Sequence, residues 1–417
     1  MATHLTQTEP PLHPAHPEAE QIDILTTHLQ RNYPVMPAAI QVVRSPLRIC
    51  PLGAHIDHQL GLVTGMTIDR PVLMAFAPTT DGAVQVESLN FDPPLAFDLS
   101  NVPPYQPGDW GNYIRGAVLA LQRRHKITHG LVGVIAGAMP IGGLSSSAAA
   151  TIAYLLALET VNRLEISPET NVSLVRFTEN QYIGLNNGIL DQSVILFNRH
   201  NQLTLIDCQS VQIDNIPTTF QVEDYEILVV YSGISRTLVN TDYNNRVAEC
   251  QQAARLLLEY TGQPAGAEAY LRQISPNIFN AEGHRLPAAL KKRAAHYFGE
   301  MQRVSEGVAA WRARDIKQFG ALITQSGQSS IENYECGSPQ LITLYEILRE
   351  TSGVYGARFS GAGFRGCCIA LIDPAARETI AEAIHCRYPV AHPGAAEHYS
   401  IHFCRPDDRA GLMTWRD

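Results

Sequence analysis

The spacing of apolar residues changes several times along this chain, and each change predicts an element. Residues 21–33 have the pattern of a short helix, and the Pro- and His-containing opening before them, through about Glu18, reads as a tail. Ala39-Ile40-Gln41-Val42-Val43 alternates as a half-buried strand does, and Ser45-Pro46 is expected to break it. Residues 71–98 look like short strands around Thr79-Thr80-Asp81-Gly82, the signature of a hairpin. After a Pro-rich loop at 102–107, Trp110, Tyr113, Ile114, Ala117, Val118 and Leu121 share one helix face, which reads as core packing. Val132 to Ala136 has strand character, and Ile152, Leu155, Leu156 and Glu159 then return to helical spacing, with alanines between them. Beyond residue 215, Glu226 to Tyr231 reads as a buried strand. A polar loop with Thr241 to Arg246 precedes a helical run at 247–260, and several helices fill about 279–350. Last comes a glycine loop, Gly356 to Gly366, that feeds a strand at Cys367 to Ile372.

Composition narrows the class. A length of 417 residues exceeds what one core usually supports, so two domains are expected. The chain divides into a tail and lead-in helix at 1–36, a first unit at 37–215 and a second at 216–417. With 45% hydrophobic and 17% charged residues it is ordinary globular protein, and no apolar run is long enough to span a bilayer. The start lacks the basic-then-apolar layout of a signal peptide, so the expected location is cytoplasmic. Eight cysteines include no Cys-x-x-Cys pair and sit mostly in apolar segments, as reduced core thiols do. A formal charge of −9 and the lack of a basic stripe argue against nucleic-acid binding. The one dense basic cluster, Arg123-Arg124-His125-Lys126, sits where a helix should end, and complements its dipole.

Three stretches carry candidate chemistry. Pro140-Ile141-Gly142-Gly143-Leu144-Ser145-Ser146-Ser147 joins a strand to a helix. Free backbone N–H groups at such a start, glycines that admit an anion, and hydroxyls that reach a metal would suit a nucleotide phosphate. A serine cap on a buried alanine-rich helix is the plainer reading. The Walker lysine is absent. Arg48, His55, Asp57 and His58 fall within eleven residues, open to three readings: a metal site, a satisfied polar loop or a substrate loop. Asp191, in Gly188-Ile189-Leu190-Asp191-Gln192, is either a turn or cap residue or a sheltered general base.

Taken in order, Arg48 to His58, Pro140 to Ala149 and Gly356 to Cys367 resemble the three motifs of the GHMP small-molecule kinases. Gly53-Ala54-His55-Ile56-Asp57 is similar to the Gly-Glu-His-Thr-Asp signature of the galactokinases, and Gly188 to Gln192 to their Gly-Ile-Met-Asp-Gln. Tyr243-Asn244 and Arg246 fit as well. The segments Cys50 to Gln59, Ser329 to Cys336 and Ala357 to Cys368 resemble the galacturonokinases more closely still.

The resemblance implies an α+β fold of two domains, N-terminal ribosomal-S5-domain-2-like and C-terminal ferredoxin-like, with the site in the cleft between them. It implies an ATP- and magnesium-dependent sugar-1-kinase acting on D-galacturonic acid. Galactose, glucuronate or arabinose kinases, and a sugar and ATP sensor without turnover, are the alternatives. Asp191 would take the proton of the anomeric hydroxyl, with Arg48 as its electrostatic partner. Gly142, Gly143, Leu144 and Ser145 to Ser147 would cradle ATP phosphates, with Ser146 or Ser147 on the magnesium ion. His55, Asp57 and Tyr243 would read sugar hydroxyls, and Gly361 and Gly363 would close the third loop near phosphates and substrate. Ala54 stands where galactokinases carry a glutamate, which removes a charge that would repel a uronic acid. His58 and Arg365 depart from the galactokinase pattern, and either could supply positive charge or a donor to the carboxylate. The expected partners are a small sugar acid and ATP, with no nucleic acid and no membrane.

Overall fold

The computed structural model describes residues 16–139, 142–218, 220–221, 223–234, 243–266 and 268–413. The first half is built on a sheet. Helix α1 (Glu18–Asn32) precedes β1 (Gln41–Ile49), the long β2 (Leu62–Pro78), β3 (Ala83–Ser88) and β4 (Leu95–Asp98). Helix α2 (Asn112–Gln122), β5 (Leu131–Gly137), α3 (Ser146–Val161), α4 (Pro168–Phe177), α5 (Leu190–Phe197), β6 (Gln202–Asp207) and β7 (Gln212–Pro217) complete it. The second half holds β8 (Glu226–Tyr231), α6 (Tyr243–Tyr260), α7 (Pro276–Glu282), α8 (Ala288–Arg312), α9 (Ile316–Glu332), α10 (Pro339–Glu350), β9 (Val354–Phe359), β10 (Cys367–Ile372), α11 (Arg377–Ala391), β11 (Ser400–Cys404) and β12 (Gly411–Leu412).

The larger sheet runs β12-β1-β2-β5-β3-β4, with β6 and β7 continuing from the first residues of β2. The expected break at Ser45-Pro46 does not occur. Pro46 lies opposite Pro71, neither ring can donate to the ladder, and the strand absorbs the defect as a register shift between Pro46 and Leu47. The expected hairpin around Thr79 to Gly82 is also absent. Strand β5 inserts between β2 and β3, antiparallel to the first and parallel to the second. Local turn chemistry could not reveal this insertion; the apolar run Leu131 to Ala136, buried throughout, is what earns β5 the central place.

Helix α1 covers one face of this sheet, burying Ile22, Leu25 and Leu29 against Val42, Leu73, Ala75, Val132 and Val134. Residues 1–15 of the expected tail lie outside the described residues. Helix α3 crosses the other face and is apolar around most of its circumference: Ala148, Ala149, Ile152, Ala153, Tyr154, Leu155, Ala157 and Leu158 are all buried. An all-round apolar helix must be enclosed. Helices α2, α4 and α5 and strands β1 and β2 enclose it.

The second sheet is antiparallel, β11-β8-β10-β9. Helix α6 begins at Tyr243, earlier than expected, and Thr241 and Asp242 lie outside the described residues. The third glycine loop is shorter than expected, because Gly356 to Phe359 belong to β9. Strand β12 returns to pair with β1, so the last described residues rejoin the first sheet. No helix among the described residues is long and apolar enough to cross a membrane.

Helix α9 meets β9 backbone to backbone. A Cβ on Gly356 would lie 1.8 Å from the Gly320 carbonyl oxygen, and one on Gly320 would lie 2.2 Å from that of Tyr355. Neither neighbour is a flexible side chain, so the helix itself must move. Gly356→Ala is therefore expected to lower stability by about 3 kcal/mol or to prevent folding. Gly394→Ala, which meets nothing within 4 Å, should stay within about 0.5 kcal/mol of wild type in the same urea titration.

Candidate active site

Three elements of the first half converge on one carboxylate. Asp191 sits in the first turn of α5, where the helix dipole favours negative charge. Arg48, near the end of β1 and 3% exposed, donates from Nε to Asp191 Oδ1 at 2.7 Å and from a terminal nitrogen at 2.6 Å. Ser145, at the start of α3, donates its hydroxyl to the other carboxylate oxygen. The cap reading of Ser145 fails: its φ is +58°, and its hydroxyl is committed to Asp191 instead of the helix N-terminus. Arg48 also donates to the Gly143 carbonyl at 3.2 Å, which ties the glycine loop to the same pair.

The loop Gly53 to Gln59 forms a second wall. His55 adopts φ +61°, unusual for a residue with a side chain, and its ring stacks on Tyr334 at 4.3 Å and 8°. Tyr334 is fully buried, and its hydroxyl lies 3.2 Å from His58 Nε2. The Gln59 amide donates to His58 Nδ1 at 3.1 Å, so His58 holds its proton on Nε2. Burial drives His58 down to about 3, with nearby His296 adding to it, and lowers His55 well below its usual value, with Arg358 the next cause. His58 is thus a neutral hydrogen-bonding ring and not the source of positive charge that the sequence allowed. Tyr243 is buried with its ring edge-on to His58 at 6.1 Å. Arg246, one turn along α6, holds the Tyr334 carbonyl at 3.0 Å. Ala54 is buried, and its carbonyl accepts from His296 Nε2 at 3.0 Å.

The glycine loops explain each other. Pro140 and Ile141 lie outside the described residues, but Gly142 and Gly143 press directly on the third loop. A Cβ on Gly143 would meet the Ser360 carbonyl oxygen at 2.8 Å, and one on Gly361 the Gly143 Cα at 2.7 Å. Both glycines have positive φ. Ser360 and Cys367 donate to the carbonyls of Gly143 and Gly142 at 2.5 and 3.1 Å. These contacts seat the third loop on the serine-rich loop, where Leu144 is buried and Ser146 and Ser147 open α3. Gly363 faces the other way: a Cβ there would lie 2.7 Å from Cys336 Sγ, which is itself 3.7 Å from His55 Nε2. Arg365 is half-buried beside Gly366, which packs on Gly142.

Several site residues escaped the sequence. Glu179, in a π-helical turn at Thr178–Ile183, is buried, with Asn187 donating to it at 2.7 Å. Burial, and then the charge of Asp191, push its carboxyl up to about 8. His296, Glu300 and Arg358 are also buried beside the wall formed by the Gly53 to Gln59 loop. The i, i+4 pair His296 and Glu300 was the one visible signal, a polar pair on the inner face of a long helix. No cluster of three or more His, Cys, Asp or Glu side chains able to hold a metal occurs among the described residues, which removes the metal reading of His55, Asp57 and His58.

Asp57 is buried, and burial, followed by the repulsion of Asp191, raises it to about 6. The folded state therefore binds a proton that the unfolded chain releases near pH 4. This contribution to stability is fully present below pH 4 and is lost as pH rises through about 6. The ligand-free protein should lose roughly 3 kcal/mol on this account between pH 4 and 7. Subtracting the stability profile of Asp57→Asn from that of wild type should isolate that fall; a flat difference would contradict the burial argument.

Comparison with known proteins agrees with this geometry. The GHMP kinases N terminal domain matches residues 112–199, and the GHMP kinases C terminal domain matches residues 308–390. The galacturonokinase of Arabidopsis thaliana is 42% identical over 398 residues, covering 90% of this chain and 94% of that protein. The galactokinase of Roseiflexus sp. (strain RS-1) is 34% identical, over 93% of this chain and 96% of that protein. The crystal structure of Lactococcus lactis galactokinase complexed with galactose superposes with a TM-score of 0.86 at 28% identity, covering 94% of this chain and all of that one. Both halves match in order, and a relative 42% identical covers 90% of this chain: this chain belongs to the GHMP kinase family.

Proposed function

We propose that this protein is an ATP-dependent sugar-1-kinase that phosphorylates D-galacturonic acid at its anomeric hydroxyl. The observation that carries the chemistry is the position of Asp191, paired with Arg48 and Ser145 at the meeting of the sugar loop and the serine-rich loop. Its side chain is 22% exposed, so a hydroxyl can reach it. The anomeric O–H gives its proton to the Asp191 carboxylate, and the freed oxygen forms a bond to the γ-phosphorus. The bond from that phosphorus to the bridging oxygen breaks, and ADP leaves with the electron pair. Arg48 counters the negative charge where the oxygens crowd. Phosphoryl transfer needs little more than such positioning and charge compensation.

The residues present also fit a divalent cation. Glu179 is an acid whose carboxyl is pushed up by burial, and it lies near the Tyr113 hydroxyl, to which Ser147 is hydrogen-bonded, so both stand on the same side of the site. Glu179 and the hydroxyl of Ser146 or Ser147 would hold magnesium together with the ATP phosphates, as few protein ligands suffice for that ion. A magnesium ion there supplies neutralisation of phosphate charge.

Substrate choice rests on Ala54 and on neutral histidines. A glutamate at position 54 and a substrate carboxylate about 4 Å apart would repel by about 4 kcal/mol at an effective dielectric of 20. That is close to three decades in affinity. With Ala54 the penalty vanishes, and the neutral His55 and His58 add no charge of their own. The relative named galacturonokinase, at 42% identity, supports the same choice.

Steady-state ADP release with galacturonate, glucuronate, galactose and arabinose tests the assignment. We expect galacturonate to exceed galactose at least a hundredfold in kcat/KM. Ala54→Glu should move that ratio at least tenfold towards galactose. A wild-type preference for galactose would overturn the substrate, and ATP binding without turnover of any sugar would make the protein a sensor.

A further inference from the structure

We propose that His296 and Glu300 are positioning residues that set the sugar loop for sugar binding by gripping its backbone from α8. The inference rests on the reading that this loop binds the sugar. The two side chains stand one turn apart on the inner face of α8, within the second half of the chain. They reach across to consecutive residues of the first half. His296 Nε2 donates to the Ala54 carbonyl at 3.0 Å, and a Glu300 carboxylate oxygen accepts the Gly53 N–H at 2.8 Å. The next residue is His55, whose positive φ must be held against its ordinary preference. A backbone pinned on both sides of the Gly53-Ala54 step leaves His55 little freedom to relax.

The clamp is specified down to its protons. Asn333 donates to Ser329 Oγ at 3.2 Å, leaving the serine hydroxyl to donate to His296 Nδ1 at 2.9 Å. His296 must then carry its own proton on Nε2, pointed at Ala54. Glu300 is fully buried, and Arg303 at 2.6 Å and Ser326 at 3.0 Å hold it. Arg358 in turn donates to Ser326 at 3.1 Å. A buried ion pair is a poor way to gain stability, because desolvation offsets its attraction. An apolar residue would fill this face of α8 at lower cost but would leave the Gly53 N–H without an acceptor. Ser329 and Asn333 also lead directly into Tyr334, the platform under His55. One histidine thus fixes both walls of the sugar pocket relative to each other.

The test separates positioning from general damage. In His296→Ala we expect KM for the preferred sugar to rise tenfold or more, with KM for ATP and kcat within threefold of wild type. His296→Gln, whose amide can donate to Ala54 and accept from Ser329, should bring the sugar KM back to within threefold. Thermal melts without ligand establish that each variant is folded. If His296→Ala does not fold, Ser329→Ala carries the test: it frees the ring to change tautomer and should raise the sugar KM in the same selective way. An unchanged sugar KM in the folded variant, a parallel rise in KM for ATP, or a glutamine variant as impaired as alanine would each overturn the proposal. His55→Ala and Asp57→Asn separate the two layers. If both leave the sugar KM unchanged, the sugar-loop reading itself falls; if they raise it while His296→Ala does not, only the clamp falls.

Discussion

The Asp191–Arg48 pair, completed by Ser145, is the contact on which the rest of the site depends. It joins the end of β1, the start of α3 and the first turn of α5, three elements separated by about a hundred residues or more from first to last. Each partner is costly to bury alone: a guanidinium without an acid, or a carboxylate without a donor, would lose its hydration with nothing in return. Together they satisfy one another, and the remaining Arg48 donor fixes Gly143. The geometry of the serine-rich loop therefore follows from the charge pair.

Around that pair burial disfavours the charged form of several titratable groups. Asp57 and Glu179 are raised by burial and by Asp191, to about 6 and about 8, while His58 and His296 are lowered by burial to about 3 and about 4. In the proposed reading the wall that meets the sugar carries neutral histidines and an Asp57 that ionises only as pH rises through about 6, next to a phosphate-facing wall built around Arg48 and Asp191. A negatively charged sugar meets no fixed anion at residue 54. The second half of the chain contributes the support: α8 grips the sugar loop, Tyr334 underlies His55, and the third glycine loop rests on the serine-rich loop.

Much of this was legible in the sequence, for physical reasons that differ by residue. Helical and strand periodicities gave the elements that stand alone, such as α2, β8 and β10, because burial of one face writes itself into spacing. The motif loops were readable from residue type and order, and Arg48, His55, Asp57, His58 and Asp191 do come together. Pairing between distant strands was not readable: the turn at Thr79 to Gly82 looks the same whether or not β5 inserts beside β2. Nor was the purpose of the glycines. Besides the room for an anion that they suggested, Gly142, Gly143, Gly361 and Gly366 let two backbones touch. Glu179 and Glu300 were invisible because an acid within a helical pattern looks solvated until tertiary structure encloses it.

The most direct test of the account is Asp191→Asn, an isosteric change that keeps the shape of the carboxyl group and removes its capacity to accept a proton. Mg–ATP affinity measured by titration calorimetry should stay within about threefold of wild type, while single-turnover phosphoryl transfer to the sugar falls by about 100-fold to 10,000-fold. A near-normal transfer rate with the variant fully folded would contradict the account, since it would leave the carboxylate at the centre of the site without a chemical role.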